Sequence, residues 1–294
     1  MVESTTTIYD VARVAGVSMA TVSRVVNGNA NVKEKTRQKV LDAIAELDYR
    51  PNAVARGLAS KRTTTVGVIL PTITSTYFAA ITRGVDDIAS MYKYNMILAN
   101  SDNDVEKEEK VLETFLSKQV DGIVYMGSSL DEKIRTSLKN SRTPVVLVGT
   151  IDGDKEIPSV NIDYHLAAYQ STKKLIDSGN KKIAYIMGSL KDVENTERMV
   201  GYQEALLEAN IEFDENLVFE GNYSYEQGKA LAERLLERGA TSAVVSHDTV
   251  AVGLLSAMMD KGVKVPEDFE IISGANSPVT QYTYPTLTSV NQPL

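Results

Sequence analysis

The 294-residue chain contains no cysteine. That absence excludes disulfides, zinc–thiolate sites, iron–sulfur clusters and cysteine nucleophiles, and it fits a reducing compartment. Histidine occurs only at His165 and His247, which leaves little material for imidazole-based catalysis or metal ligation, so no metal and no other cofactor is expected. No stretch approaches the roughly 18 apolar residues of a membrane span, and Met1 to Asp10 has no apolar leader segment, so a cytoplasmic protein is expected. Also missing are a Gly-x-Gly-x-x-Gly fingerprint, a P-loop and a Gly-x-Ser-x-Gly elbow. With 39 acidic residues, carboxylate pairs arise by chance, and a two-carboxylate enzyme stays open at this point. What is present is the composition of a folded protein, 43% hydrophobic and 24% charged, with length for two domains or for three if one is small.

The net charge of -8 argues against a nucleic-acid partner when taken whole. Its distribution argues otherwise. Met1 to Arg62 holds ten Lys and Arg against six Asp and Glu, a net of +4; the remainder, with 21 against 33, carries -12. A basic head on an acidic body points to nucleic-acid contact, although charge alone does not exclude ordinary surface variation.

The head reads as three short helices. Thr7 and Asp10 form a capping-box start, and Val11, Ala12, Val14 and Ala15 supply an apolar face. Gly16 breaks this helix, and Ser18 caps a second over Met19 to Val26, in which Val22, Val25 and Val26 face the first. Two helices joined by so short a glycine-containing turn describe a helix-turn-helix. A third helix is expected from Asn31 as cap with Glu34 at its third position, and Val32, Thr36, Val40, Ile44 and Leu47 as its inward stripe. The outward residues of the second helix, Met19, Ala20, Ser23, Arg24 and Asn27, are not the Glu/Lys mixture of a merely solvated face. Arg24 can donate twice to a guanine edge, Met19 and Ala20 can touch a thymine methyl, and Thr21, Ser23 and Asn27 can bond phosphate.

After Tyr49, Pro51 stops the third helix and Asn52 caps about two turns, through Ala55 and Arg56, that Gly57 interrupts before Leu58. A helix so short is marginal alone. By composition the segment is either a basic tether or a hinge helix that orders against a second copy, with Leu58 wedged into a minor-groove step. In the body, apolar β-branched runs at Val66–Leu70, Met96–Ala99, Gly122–Met126, Val145–Val148, Val160–Ile162, Ile183–Met187, Ala243–Val245 and Phe269–Ile272 alternate with helical segments such as Ile81-Val85-Ile88-Ala89-Tyr92. That alternation predicts an α/β body with two doubly wound parallel-sheet lobes that part near Asp163, with ligands at the carboxyl ends of strands. Candidate cleft residues are Ser75, Tyr77 and Phe78, then Asp102, Arg198, His247 with Asp248, and Asn276. Each of these can instead be an ordinary loop residue, and Arg198 a surface cation near Glu194 and Glu197; for His247 and Asn276 the two readings are about even.

The stretches Thr7 to Gly28 and Tyr49 to Thr65 closely resemble the headpiece and hinge of the lactose-repressor and galactose-repressor family of bacterial transcription regulators. Tyr49 to Thr65, Met91-Tyr92-Lys93-Tyr94-Asn95 and Lys118-Gln119-Val120-Asp121-Gly122 resemble the branch that governs carbon catabolite control in Gram-positive bacteria. The resemblance covers the whole chain, densest over the first 125 residues. It implies a homodimer on a pseudopalindromic operator and a body like that of periplasmic sugar-binding proteins. It divides the chain into a headpiece at 1–50, a hinge helix at 51–62, a first lobe at 63–162 plus 291–294 and a second lobe at 163–290. It assigns base reading to Met19, Ala20 and Arg24, phosphate contact to Tyr9, Thr21, Ser23, Asn27 and Tyr49, and groove insertion to Leu58. In sugar-binding members the positions of Arg198, His247 and Asn276 usually carry Arg, Asn and Asp, so loss of the carboxylate at Asn276 weakens the case for a free sugar. The branch implies serine-phosphorylated HPr as the main effector, with sugar phosphates as weak helpers. Family members continue beyond the position of Leu294, so a truncated chain is expected. A periplasmic receptor, the third class beside regulator and enzyme, is disfavoured by the headpiece.

Overall fold

The computed structural model describes residues 6–50, 62–127, 130–190, 192–221 and 223–292. Asn52, Ala55, Arg56 and Leu58 lie outside the described residues. The chain divides into two compact units, one up to Thr63 and one from Thr64 onward.

In the first unit, α1 (Ile8–Ala15), α2 (Met19–Val26) and α3 (Glu34–Glu46) enclose a core of Val11, Ala12, Ala15, Val22, Val25, Val40 and Ala43. Asp10 accepts from the backbone N–H of Thr7 at 3.0 Å and from its hydroxyl at 2.7 Å. These bonds fix the start of α1, where the macrodipole also favours a carboxylate. Gly16 ends the helix with φ 64°, a left-handed conformation that a side chain would strain, and Val17 N–H returns to the Ala12 carbonyl at 3.0 Å. Ser18 Oγ then accepts from Thr21 N–H at 3.2 Å. Two sequence expectations change. Val14 is exposed, not part of the core. The cap of α3 is Lys33, without a side-chain cap bond, because the Asn31 N–H is held in the preceding turn by Asn29 Oδ1 at 3.1 Å.

The second unit holds two five-stranded, all-parallel sheets. The first has β1 (Thr65–Leu70), β2 (Asn95–Asn100), β3 (Gly122–Tyr125), β4 (Val145–Val148) and β5 (Ser159–Val160) in the order β2-β1-β3-β4-β5. Side chains alternate across β1. Val68 and Leu70 pack toward α4 (Thr76–Met91), with Phe78, Ile81 and Val85; Ile69 packs toward α5 (Val105–Ser117) and α6 (Glu132–Asn140). Gly67 lets the Phe115 ring lie against the strand, where a Cβ would come within 2.3 Å of it. The apolar stripe expected on α4 is wider than the sheet covers, since Ile88 and Tyr92 are exposed.

The second sheet has β6 (Ile183–Met187), β7 (Val218–Glu220), β8 (Ser242–Val245), β9 (Glu270–Ser273) and β10 (Thr288–Ser289) in the order β10-β9-β8-β6-β7. Strands β7 and β10, only three and two residues long, were not among the expected runs. The helices α7 (Tyr164–Asp177) and α8 (Val193–Glu208) cover one face with Leu175, Tyr202 and Leu206. The other face is covered by α9 (Tyr225–Glu237) and α10 (Asp248–Asp260), with Leu231, Leu235 and Leu254; a short α11 (Val279–Tyr282) follows β9. The chain passes from first to second sheet through Asn161–Asp163. After β10 it runs on through Val290–Gln292, where Val290 N–H bonds Ser273 O at 2.8 Å. No described helix is long and apolar enough to cross a membrane.

Candidate functional site

The first candidate surface is the outer face of α2. Val22 and Val25 are buried, which turns Met19, Ala20, Arg24 and Asn27 outward, all exposed. Arg24 makes no ion pair among the described residues, so its guanidinium stands ready for an acceptor. Ser18 Oγ and Thr21 Oγ1 lie 2.9 Å apart, and Asn27 Nδ2 donates to Ser23 Oγ at 3.3 Å, so these hydroxyls are pre-oriented along the helix start and side. Tyr9 is exposed, whereas Tyr49 is half-buried against the headpiece core.

The second is a cavity of about 270 Å³ at the carboxyl ends of the strands in the larger unit. Five of the residues expected there line it: Ser75, Tyr77, Phe78, Arg198 and His247. Three do not. Asp102 turns aside to Lys107 and Asn100, and its neighbour Asn103 lines the cavity instead. Asp248, 3% exposed, accepts from Ser273 Oγ, Ala275 N–H (3.1 Å) and Ser277 N–H (2.6 Å), and so holds a loop of its own lobe. Asn276 bonds Asn291 and Ser289. In each case a nearer polar partner satisfies the side chain before a ligand could.

Tyr164, Glu194, Tyr223 and Gln292 also line the cavity and were not expected. Tyr164 opens α7, and Glu194 lies in the first turn of α8, one turn before Arg198. The Arg198 guanidinium lies over the Tyr164 ring, 4.3 Å from its centroid, a cation–π contact. Opposite charges of Glu194 and Arg198 thus sit on one helix face. Tyr223 stacks on His247 with centroids 4.4 Å apart and planes at 29°. Gly188 makes room for that ring, since a Cβ there would meet Tyr223 Oη at 1.8 Å, and Asn195 Nδ2 donates to the same oxygen at 3.1 Å. Tyr77 stands edge-on to His247 at 6.5 Å. The cavity thus offers ring faces, one guanidinium, one carboxyl and a neutral imidazole, which suits a polyol better than a polyanion.

Burial pushes the Glu194 carboxyl up to about 7, with Asp192 adding to the rise and Arg198 opposing it. Burial likewise lifts Asp192 to about 6 and holds His247 down at about 4. Glu194 and Asp192 bind protons more tightly folded than unfolded. Their stabilisation is therefore complete below pH about 4 and is lost as pH rises through about 6 and about 7. His247 acts in the opposite sense, its contribution complete above its ordinary 6.5 and lost as pH falls through about 4. Glu194→Gln leaves Asp192 and His247 to oppose each other. Its stability is therefore expected to vary less between pH 5 and 8 than that of the unaltered protein, by on the order of 2 kcal/mol. Denaturant unfolding at four pH values checks this, and parallel curves for the two proteins would refute the assignment. Among the described residues no group of His, Asp and Glu is arranged to hold a metal.

Comparison with known proteins identifies the family of both units. Residues 7–52 match the family described as bacterial regulatory proteins, lacI family, and residues 63–293 match periplasmic binding proteins and sugar binding domain of LacI family. The chain is 55% identical over 293 residues to Catabolite control protein A of Streptococcus mutans, covering 99% of this chain and 88% of that one. Among solved structures it matches the Lac repressor dimer bound to operator and the anti-inducer ONPF, with a TM-score of 0.87 at 27% identity over 99% of this chain and 88% of that chain. It also matches the complex of the transcriptional regulator CelR with cellobiose, with a TM-score of 0.72 at 32% identity over 98% and 88%. These matched proteins are transcription regulators, not enzymes. A helix-turn-helix headpiece, two parallel-sheet lobes and these matches along nearly its whole length together place the chain in the LacI family of bacterial transcription regulators.

Proposed function

We propose that this regulator acts in carbon catabolite control, as a cytoplasmic homodimer whose two headpieces read the halves of a pseudopalindromic operator. Serine-phosphorylated HPr is its co-repressor and sugar phosphates are weaker effectors. The observation that carries the reading is the free outer face of α2, with Arg24 exposed at its centre on a headpiece of net positive charge. Met19, Ala20 and Arg24 read bases; Tyr9, Ser18, Thr21, Ser23, Asn27 and Tyr49 position the helix on phosphates; Asn52, Ala55 and Arg56 contact DNA from the hinge, and Leu58 inserts into the minor groove when two hinges meet. Twofold symmetry of the protein then maps onto twofold symmetry of the DNA. Similarity to Catabolite control protein A supports the carbon-control role and, through it, the phosphoprotein partner. Each effector shifts operator affinity by its differential affinity for two arrangements of the lobes. The match to an operator-bound repressor supports assigning the present arrangement to the operator-competent state.

Fluorescence anisotropy of the full chain on a palindromic duplex, titrated with HPr, tests this. Serine-phosphorylated HPr is expected to tighten binding and unphosphorylated HPr to leave it unchanged; equal effects of the two would sink the co-repressor role. A second reading, direct control by a small sugar, is favoured by the ring-lined cavity with Arg198 and by the likeness to a cellobiose-bound regulator. Calorimetric titration with free sugars and sugar phosphates separates the two.

A further inference from the structure

The segment Val290–Gln292 joins the second lobe to the cavity wall. Gln292 is 8% exposed, and its amide bonds in two directions. Its Oε1 accepts from the Tyr77 hydroxyl at 3.3 Å, and its Nε2 donates to the Gly274 carbonyl at 2.8 Å. Tyr77 lies in the first turn of α4 in the first lobe, whereas Gly274 follows β9 in the second. One buried amide therefore ties the lobes together at the cavity.

The second-lobe end of this tie is braced. Asn276 has φ 53°, a left-handed conformation that Asn tolerates better than most residues. Its Nδ2 donates to Asn291 Oδ1 at 3.1 Å, and its Oδ1 accepts from Ser289 Oγ at 2.8 Å. The three bonds from Asp248 described above pin residues 273–277 to the start of α10, beside His247. Gly274 lies so close to the Ser246 carbonyl that a Cβ would come within 2.4 Å of it. The loop that receives Gln292 is thus a fixed anchor, and among the described residues the Tyr77–Gln292 bond links it to α4 beside the edge-on Tyr77–His247 contact.

We propose that Gln292 is an interlobe latch, closed by the Tyr77 hydroxyl and anchored through Gly274 and Asn276, and that occupancy of the cavity opens it. Tyr77 has one phenolic proton and lines the cavity. A ligand acceptor that takes that proton leaves Gln292 without its first-lobe partner, so ligand and latch compete for one donor. Gln292, Asn276 and Asp248 are positioning residues in this scheme; they act through Tyr77 and need not touch the ligand. The inference rests on the proposed control of operator affinity by lobe arrangement, and the test separates the two.

Because the chain has no cysteine, Lys118→Cys in the first lobe and Lys181→Cys in the second give a unique pair for spin labels. Labelled chain is diluted with unlabelled chain so that each dimer carries one pair. Interlobe distances are then measured by pulsed electron resonance, and operator affinity by anisotropy, for the full-length protein with Tyr77→Phe, Gln292→Leu and Asn276→Gly. Tyr77→Phe removes one oxygen and keeps the ring, so thermal melting should confirm that it stays folded. Each variant is expected to broaden and shift the distance distribution, and to weaken operator binding about three- to tenfold, the effect of one or two hydrogen bonds. Distributions that coincide with that of the unaltered protein would overturn the latch, whatever the affinities do. A shifted distribution with unchanged operator affinity would support the latch and overturn the control of affinity by lobe arrangement.

Discussion

Arg24→Ala is expected to lower operator affinity roughly 10- to 100-fold and to flatten the preference for base at one position of each half-site, the effect of losing a bidentate base contact. Arg24 is exposed, while Val22 and Val25 on either side carry the packing, so headpiece melting should not change. The competing assignment is a phosphate contact. That role would weaken binding to all sequences alike and reduce the salt dependence of the affinity by about one counterion. Competition among single-base variants of the duplex at two salt concentrations distinguishes the two, with Asn27→Ala as the comparison expected to lose affinity evenly. Retained base preference in Arg24→Ala would remove the residue from direct readout. The -12 of the body bears on the same experiment, because an acidic body is repelled by phosphates and the +4 of Met1 to Arg62 is not.

The headpiece was legible because its signals are local. Thr7 with Asp10, the left-handed Gly16 and the Ser18 cap act within one turn of themselves. The start of α3 was misplaced for the same reason: Asn31 and Glu34 have capping spacing, but the Asn29 side chain occupies the Asn31 N–H first. The sheets were legible as β-branched runs, except β7 and β10, which lack such a run, and β5, which the expected Val160–Ile162 meets only at Val160. The cavity was half legible. Strand ends lead to Ser75, Tyr77, Phe78 and His247, whereas Tyr164 and Glu194 enter from helix starts and Tyr223 from a loop with φ 39°. Asp248 and Asn276 neighbour the cavity in sequence, yet backbone N–H groups and crossover side chains claim them. Which polar partner reaches a side chain first is a tertiary outcome that residue type does not encode.

Gly228→Val is expected to destabilise the second lobe by about 3 kcal/mol or more, the upper end of the cost of overpacking. Helices α9 and α10 touch backbone to backbone at two reciprocal places. A Cβ on Gly228 would stand 2.0 Å from the Val250 carbonyl oxygen, and one on Gly253 would stand 2.0 Å from that of Tyr225. Backbone cannot swing away as a side-chain end can, so the helices must separate. That separation reaches the cavity, because Tyr223 stands just before α9 and His247 is the residue that caps α10. Parting the helices pulls apart the Tyr223–His247 stack at 4.4 Å. Gly201 on α8 repeats the arrangement against the His165 carbonyl of α7, at 2.1 Å, so Gly201→Val should act alike. Gly84 is the control: beyond its own helix no atom of the described residues lies within 4 Å of its Cβ position, and Gly84→Ala should stabilise by about 0.5–1 kcal/mol through helix propensity. Calorimetry of the three variants measures these effects. A Gly228→Val protein that melts with the unaltered one would mean that α9 and α10 are not in backbone contact, and the rigid wall behind His247 would go with that contact.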